Sequence, residues 1–304
     1  MIKEPTVLIL GAGASKPYGF PLGSELRDDV IRMHSRNIIN FQLRQIGINM
    51  QQYDSFIKEL SRSGYSSVDA FLEDRKQWLR VGKSCIAQSL LEYEASTRDK
   101  LFPPDQPKDH WYEVLWSRLK ADSWLSFRNN KLAVVTFNYD RSLEHYLSRV
   151  ICNNYGVREE LATSLLSLFI IHVHGDLGTY MGVDEKGLGY GERPTNEKVI
   201  IARRSVKIVH EGSSSTKEFR RANRLLANAS RILVIGFAFH PQNMHKMRIF
   251  NPGARGTLAG KYVRCTHKGI NPRACEVIRK KFGFAPYSFE QATGSISEML
   301  GEWL

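Results

Sequence analysis

An apolar strand that runs directly into a glycine-rich turn and a helix is the feature that most constrains this chain. The run VLIL at residues 7–10 is continuously apolar, as in a strand buried on both faces of a sheet, and GAGASKPYGFPLGSELR follows from Gly11 to Arg27. Glycines at positions 11 and 13 allow positive φ values and close approach of another backbone or a ligand. The helix directs its positive dipole end toward the turn. The segment therefore predicts a βα unit that binds the phosphates of a nucleotide.

Further apolar segments predict a sheet built around this first strand. Helical patterns separate them, which is typical of a parallel sheet whose crossover helices cover both faces. The sequence therefore predicts an α/β fold with a Rossmann-like parallel sheet. The predicted strands are Thr6–Leu10, Leu132–Phe137, Leu168–Val173 and Arg231–Phe237, with Lys261–Cys265 as a weaker fifth candidate.

A long segment between the first two strands has a different pattern. Apolar residues recur there every three or four positions with charges between them, which predicts a large helical insertion over residues 36–130. One helix is expected to begin at SSVD, with Ser66 or Ser67 as its cap. Residues 1–35 and 131–304 then form the Rossmann-like core. Within that core, residues 182–194 predict a glycine-rich loop, and KVIIARRSVKIVHEG at 198–212 predicts a hairpin or two irregular strands.

Charge and cysteine usage limit the classes of function. The formal net charge is +12, which favours polyanionic partners, although solvated helix faces explain scattered Lys and Arg equally well. Nucleic acid is thus an open possibility. The four cysteines form no C-x-x-C pair, so we expect neither a zinc ribbon nor another metal site. No apolar run is long enough for a membrane span and no signal-peptide pattern is present, so we expect a cytoplasmic protein with no membrane association.

Three further motifs follow predicted strands: TFNYD at 136–140, HVHGDLG at 172–178 and GFAF at 236–239. Together with the glycine loop, and in this order, they resemble the sirtuin family. That family has a GAGxSxxxGxP loop, then T-x-N-x-D, then a histidine followed by glycine, then a glycine turn. The matching residues are Gly11, Gly13, Ser15, Gly19 and Pro21 in the first motif, Thr136, Asn138 and Asp140 in the second, His174 and Gly175 in the third, and Gly236 in the fourth.

The resemblance implies NAD⁺ as the substrate. The positions at which the chain departs from the family pattern indicate which reaction it catalyses. The chain lacks the two cysteine pairs that form the zinc module of sirtuin deacylases, and Leu22 and Gly23 follow the loop proline where those enzymes have Phe-Arg. It looks like the divergent bacterial branch that hydrolyses NAD⁺ to nicotinamide and ADP-ribose, often as an effector of defence against phage. A protein deacylase and a non-catalytic NAD⁺ or ADP-ribose-binding regulator remain the alternatives.

The resemblance also implies roles for the residues at the strand ends. Asn138 would orient water and the ribose, His174 would act as general base, and Asp140 would bind the nicotinamide amide, with helix capping as its alternative role. We expect His172 to be a core or surface residue, with a functional role as the lesser alternative. His240 and Asn243 are within reach of the nucleotide or stabilise their own turn. The predicted cofactor-binding residues are Gly11, Ala12, Gly13, Ala14, Ser15, Pro21, Thr136, Gly175, Gly236, Phe237 and Thr266.

An unrestrained NAD⁺ hydrolase would kill its host cell, so this interpretation requires control. No sensor domain is evident in the sequence. We therefore expect a homo-oligomer, with the helical insertion as the preferred assembly surface, or a partner protein that supplies the trigger.

Overall fold

Five parallel strands form one sheet at the centre of the molecule. The computed structural model describes residues 1–180, 187–208, 216–248, 258, 260–285, 288 and 295–304. The sheet order is β3-β2-β1-β4-β5. The strands are β1 (Thr6–Leu10), β2 (Leu132–Thr136), β3 (Ile170–His172), β4 (Arg231–Ile235) and β5 (Tyr262–Cys265).

Helices account for most of the remaining described structure. Three short 3-10 helices, Lys16–Tyr18, Lys76–Trp78 and Asp99–Leu101, accompany the α-helices. The α-helices are α1 (Ala12–Ser15), α2 (Gly23–Met33), α3 (Asn37–Gln45), α4 (Met50–Arg62), α5 (Val68–Glu73), α6 (Leu79–Thr97), α7 (Trp111–Leu119), α8 (Trp124–Phe127), α9 (Ser142–Tyr155), α10 (Glu159–Phe169), α11 (Asn196–Ser205), α12 (Lys217–Asn228), α13 (Pro241–Lys246), α14 (Pro272–Phe282) and α15 (Ile296–Trp303).

The two faces of the sheet carry separate apolar cores. Along β1, Leu8 and Leu10 face a core that contains residues of α7, α9, α10 and α15. Val7 and Ile9 point to the opposite face, where residues of α12, α13 and α14 cover the sheet. This alternation follows from the period-two geometry of a strand. The fold is therefore the expected α/β arrangement, a Rossmann-like parallel sheet with helices on both faces.

The predicted strands are confirmed in position, and their ends differ slightly. Strand β1 has the predicted bounds, and β2 and β4 stop one and two residues early because the chain turns away into the loops described below. Strand β3 begins at Ile170, since Leu168 belongs to the last turn of α10. An apolar run alone does not separate the end of a buried helix from the start of a buried strand.

Helices α2 to α6 and α11 form a third apolar core, which we call the helical cluster. The Ser67 hydroxyl caps α5 by accepting a hydrogen bond from Ala70 N at 3.2 Å, as predicted. Helices α7 and α8, also within residues 36–130, instead contribute to the core on the first face of the sheet. The helical cluster is thus assembled from two distant parts of the chain.

The hairpin predicted at 198–212 is wrong for its described part, where the chain forms α11. The Thr195 hydroxyl accepts a hydrogen bond from Lys198 N at 3.3 Å, which caps the helix. Val199 and Ala202, three residues apart, are buried in the helical cluster. Packing at helical spacing therefore overrides the β propensity of the KVII run. Residues 182–186 of the predicted glycine-rich loop and 209–212 of the predicted hairpin lie outside the described residues.

The order of the strands reverses direction beside the first strand. From β1 the chain proceeds to β2 and β3 on one side, and β4 and β5 then lie on the other side of β1. Ligands of open α/β sheets bind at the carboxyl ends of the strands where the order reverses in this way. The glycine loop and the three later motifs all follow strands, so the four meet at this one edge. Among the described helices, none combines the length and the apolar character needed to cross a membrane.

Candidate functional site

The glycine loop after β1 packs directly on the turn after β4. Gly11 N donates to Ile235 O at 3.0 Å, and Gly13 N donates to Gly236 O at 2.9 Å. A Cβ atom on Gly13 would lie 2.7 Å from Gly236 Cα, and one on Gly236 would lie 2.1 Å from Ala14 N. Both glycines are therefore required by contact between the two turns, whatever else binds there.

This packing changes the expected role of the loop amides. We predicted that Gly11, Ala12, Gly13 and Ala14 all present N–H groups to a pyrophosphate. Three of these groups already donate within the chain, since Ala14 N bonds to Gly11 O at 2.9 Å in addition to the two bonds above. In the described part of the chain, only the Ala12 amide of the four has no assigned acceptor. A phosphate at this turn would first meet Ala12.

Asn138, in the loop after β2, reaches across to the glycine loop. Its side-chain Nδ2 donates to Gly11 O and to Ser15 Oγ, each at 3.0 Å. Its backbone N donates to Thr136 Oγ1 at 3.1 Å, which fixes the start of the loop. Both amide hydrogens are thus engaged, and Oδ1 is the atom of Asn138 that remains for a ligand.

Asp140 faces the protein's own hydroxyl groups. Its Oδ2 accepts from Ser15 Oγ at 2.8 Å, and its Oδ1 accepts from Ser142 N at 3.2 Å and from the Ser142 hydroxyl. Burial raises the pKa of this carboxyl, opposed by the hydrogen bonds from Ser142 and Ser15. These contacts are those of the capping role at the start of α9. They also make Ser15 a bridge between Asp140 and Asn138.

His174, after β3, is buried in an aromatic setting with one polar contact. Its Nε2 lies 3.3 Å from Asn243 Oδ1, while its buried Nδ1 bonds to no described residue. The rings of Phe137 and Phe219 lie edge-on to the imidazole, with centroids 5.4 and 5.6 Å away. With the amide oxygen opposite Nε2, that nitrogen carries the proton and Nδ1 presents a lone pair. Asn243, which we expected to reach the nucleotide or to stabilise its own turn, therefore sets the tautomer.

The environment of His174 keeps it neutral. Burial lowers its pKa to about 4, and the positive charges of Lys246 and Lys207 act in the same direction, against the hydrogen bond with Asn243. At neutral pH the imidazole therefore accepts hydrogen bonds at Nδ1. A buried polar atom without a hydrogen-bond partner is unfavourable, so Nδ1 is the atom of His174 that remains for a ligand.

The expected role of Gly175 is corrected by its surroundings. We predicted that this glycine admits a ligand, yet a Cβ at this position would lie 2.0 Å from Ser205 O. The next chain segment is tied on here, because Lys207 N donates to His174 O at 2.8 Å and Ser205 Oγ donates to Asp176 Oδ1 at 2.6 Å. Gly175, with a φ of +71°, accommodates this segment beside the helical cluster.

The remaining predicted cofactor-binding residues lie in the loops at the carboxyl edge of the sheet. Thr266 Oγ1 accepts from Gly236 N at 2.7 Å and so holds the β4 turn. The buried Phe237 packs edge-on to Phe137, with ring centroids 4.9 Å apart. Pro21 is buried at the end of the glycine loop. Contact of any of them with the adenosine moiety stays a prediction.

The two predicted catalytic side chains lie on neighbouring loops but bond to different partners. Thr136 and His172 are paired across β2 and β3, and Asn138 and His174 each lie two residues beyond that pair. The Asn138 amide turns toward the glycine loop, whereas His174 turns toward Asn243. The structure thus brings the two loops together at one edge of the sheet, with their side chains bonded to different neighbours.

Sequence reasoning missed two contacts that hold the Asn138 loop. His172 forms an ion pair with Glu144 of α9 and also bonds to Asn138 O. Tyr139 Oη donates to Asp69 Oδ1 of α5 at 2.5 Å, which ties the loop to the helical cluster. The repeated histidine in HVH was a visible signal for the first contact. The second joins residues 70 positions apart, and no sequence pattern announces it.

Within the described ranges, no set of three or more His, Cys, Asp or Glu side chains is arranged to hold a metal ion. The cysteines are free thiols. Neither protein-family models nor curated proteins give a match to the chain.

Proposed function

We propose that this protein hydrolyses NAD⁺ at the bond between nicotinamide and ribose, giving nicotinamide and ADP-ribose. The observation that carries the proposal is the buried, unpartnered Nδ1 of His174 at the carboxyl edge of the sheet, one loop away from Asn138. The sirtuin-like order of the four motifs supports the choice of NAD⁺ among nucleotides. The reversal of strand order beside β1 supports a dinucleotide at this edge.

The reaction needs little acid–base chemistry. The nicotinamide ring of NAD⁺ is already cationic, so cleavage of its bond to C1′ returns the electron pair to the ring nitrogen without a proton. Water then forms the new bond to C1′ and loses one proton. The protein's task is to hold the ribose while positive charge develops and to deliver the water.

Asn138 and His174 have complementary properties for this task. Asn138 Oδ1 accepts a hydrogen bond from water or a ribose hydroxyl and adds no net charge beside the developing cation. His174 Nδ1 accepts from a second hydroxyl, and the lowered pKa keeps it unprotonated at neutral pH. The weak basicity that accompanies a pKa of about 4 suits orientation of the hydroxyl more than full proton removal.

Incubation of the purified chain with NAD⁺ alone tests the proposal. Chromatography is expected to show nicotinamide and ADP-ribose in equal amounts, and Asn138→Ala under the same conditions is expected to give far less of both. Nicotinamide release only in the presence of an acylated lysine peptide would indicate a deacylase instead. Binding of NAD⁺ with no product under any condition would favour the regulator.

The cellular role follows from the activity and belongs to the same proposal. A cytoplasmic enzyme that drains NAD⁺ acts as an antiviral defence effector, halting an infected cell. Its restraint then comes from self-assembly or from a partner protein. Light scattering is expected to give a mass above that of the 34.8 kDa chain, and a strict monomer at micromolar concentration would contradict self-assembly.

A further inference from the structure

We propose that His172 and Glu144 form a positioning pair that holds Asn138 in the orientation hydrolysis requires. The inference rests on the proposed function, because it assigns the pair to the reaction described above. Neither residue matches the motifs that carry the family resemblance. Neither forms a hydrogen bond or ion pair with the glycine loop in the described part of the chain.

The contacts of His172 define its protonation state. Its Nε2 lies 2.5 Å from Glu144 Oε1, and its Nδ1 lies 2.8 Å from the backbone oxygen of Asn138. A carbonyl oxygen only accepts hydrogen bonds, and so does a carboxylate. Both ring nitrogens therefore donate, and His172 is an imidazolium with each of its protons assigned.

Burial and charge keep this arrangement in place. The side chains of His172 and Glu144 are 10% and 13% exposed. Burial alone lowers the pKa of His172, but the charge and hydrogen bond of Glu144, together with Asp176, raise it to about 9. Glu144 comes from the first turn of α9 and Asp176 from the loop after β3, so opposite charges from two elements face the ring.

The pair completes a set of anchors around Asn138. The backbone N is held by Thr136 Oγ1, the backbone O by His172, and the side-chain Nδ2 by Gly11 O and Ser15 Oγ. These bonds leave Oδ1 pointing in one direction. Without the His172 bond, the peptide that follows Asn138 loses one of the contacts that hold it, and a shift of this peptide moves Oδ1. Displacement of a catalytic group by about 1 Å is enough to reduce rate by about 10²-fold.

Kinetics of His172→Gln and Glu144→Gln test the pair. We expect His172→Gln to lower kcat for NAD⁺ by about 10- to 100-fold with KM within about threefold of wild type, because the glycine loop is unchanged. The control is His34→Gln, which removes another histidine–carboxylate contact, the exposed one with Asp54, far from the site. It should leave both constants unchanged.

The pH profile separates positioning from support of the fold. In the wild type, kcat should decline as pH rises through about 9, where His172 loses its second proton. Glu144→Gln removes the charge that raises this pKa, so its decline should begin at lower pH while thermal denaturation shows the protein still folded. This near-isosteric variant decides the matter if His172→Gln fails to fold.

The possible results separate a failure of the positioning role from a failure of the hydrolase proposal. A folded His172→Gln protein with kcat within twofold of wild type would overturn the positioning role and leave NAD⁺ hydrolysis standing. The same holds if the alkaline limb of Glu144→Gln coincides with that of wild type. A wild-type protein that releases no nicotinamide would overturn the hydrolase proposal and this inference with it.

Discussion

Two histidines separated by one residue behave in opposite ways. His174 has its pKa lowered to about 4, first by burial, and is neutral at pH 7. His172 has its pKa raised to about 9, since Glu144 and Asp176 outweigh burial, and it is charged. The two pKa values differ because Asn243, the partner of His174, is neutral, whereas Glu144, the partner of His172, is anionic. One ring is thereby suited to accept a hydrogen bond and the other to donate one to a backbone oxygen.

Loss of either proposed catalytic side chain should abolish most turnover. Asn138→Ala removes the Oδ1 acceptor and His174→Ala removes the Nδ1 acceptor, so each is expected to reduce NAD⁺ hydrolysis by about 10²-fold or more. Nicotinamide release measured at saturating NAD⁺ checks this, with circular dichroism to confirm the fold. His34→Gln again serves as the control. Wild-type turnover by either alanine variant would remove that residue from the catalytic machinery.

At the scale of elements, the site is a meeting of loops tied to one another. The glycine loop is bonded to the β4 turn, the Asn138 loop to the glycine loop, and the His174 loop to the segment after α11. Gly13, Gly236 and Gly175 lie at these contacts because another part of the backbone is too close for a Cβ atom, and not to admit a ligand. Substitutions at these contacts are therefore expected to change the stability of the fold.

Gly236→Ala should be strongly destabilising. Gly236 has a φ of +58°, and a Cβ there would lie 2.1 Å from Ala14 N, so the variant has both backbone strain and a clash with the glycine loop. We expect the free energy of unfolding to fall by about 3 kcal/mol. Gly64→Ala is the matched control, because Gly64 has a φ of +70° with nothing within 4 Å, and should lose only about 1 kcal/mol. Equal losses in urea denaturation would show that the contact between the turns contributes nothing.

Loss of the Tyr139–Asp69 hydrogen bond should lower the free energy of unfolding by more than a typical single hydrogen bond does. Asp69 is half-buried, and the burial of its carboxyl raises its pKa against the bond from Tyr139. Tyr139→Phe leaves this carboxyl without its donor, so we expect a loss of about 1–3 kcal/mol in the free energy of unfolding. Tyr53→Phe is a fitting control, since Tyr53 is buried but its hydroxyl has no hydrogen-bond partner among the described residues. The second variant should be neutral or slightly stabilising, and comparable losses in the two would argue against the tether.

For the whole molecule, buried histidines with opposite shifts predict how stability depends on pH. Burial, with nearby arginines, lowers the pKa of His145 to about 3, and that of His174 is about 4. Their stabilising contribution is complete above the ordinary value of about 6.5 and is lost as pH falls toward the folded values. The contribution of His172 is complete below about 6.5 and is lost as pH rises to about 9.

Among these groups, stability should therefore be greatest near pH 6.5. Thermal denaturation between pH 4.5 and 9 is expected to show a melting temperature that declines on both sides of that value. His145→Gln should make the acid side less steep and leave the alkaline side unchanged. A melting temperature that stays constant from pH 4.5 to 6.5 in the wild type would show that His145 and His174 are not held neutral in the fold.

Much of the architecture was predictable from local pattern. The VLIL run, its following glycines and the later apolar segments determined a parallel α/β sheet, because buried strands and crossover helices have recognisable periods. The prediction of a hairpin at 198–212 was wrong because the β-branched run there is equally compatible with a helix that packs through Val199 and Ala202. Propensity is weak evidence when a neighbouring element, here α6, supplies the burial.

The sequence by itself determined which residues meet at the carboxyl edge of the sheet, since parallel strands bring their ends to one side and the motifs follow the strands. Only the tertiary structure decided what each of them does there. It turned Gly13 and Gly175 into points of backbone contact, gave Asn138 and His174 separate partners, and paired His172 with Glu144. Protonation states and free acceptor atoms depend on neighbours distant in the chain, and those neighbours are set by packing.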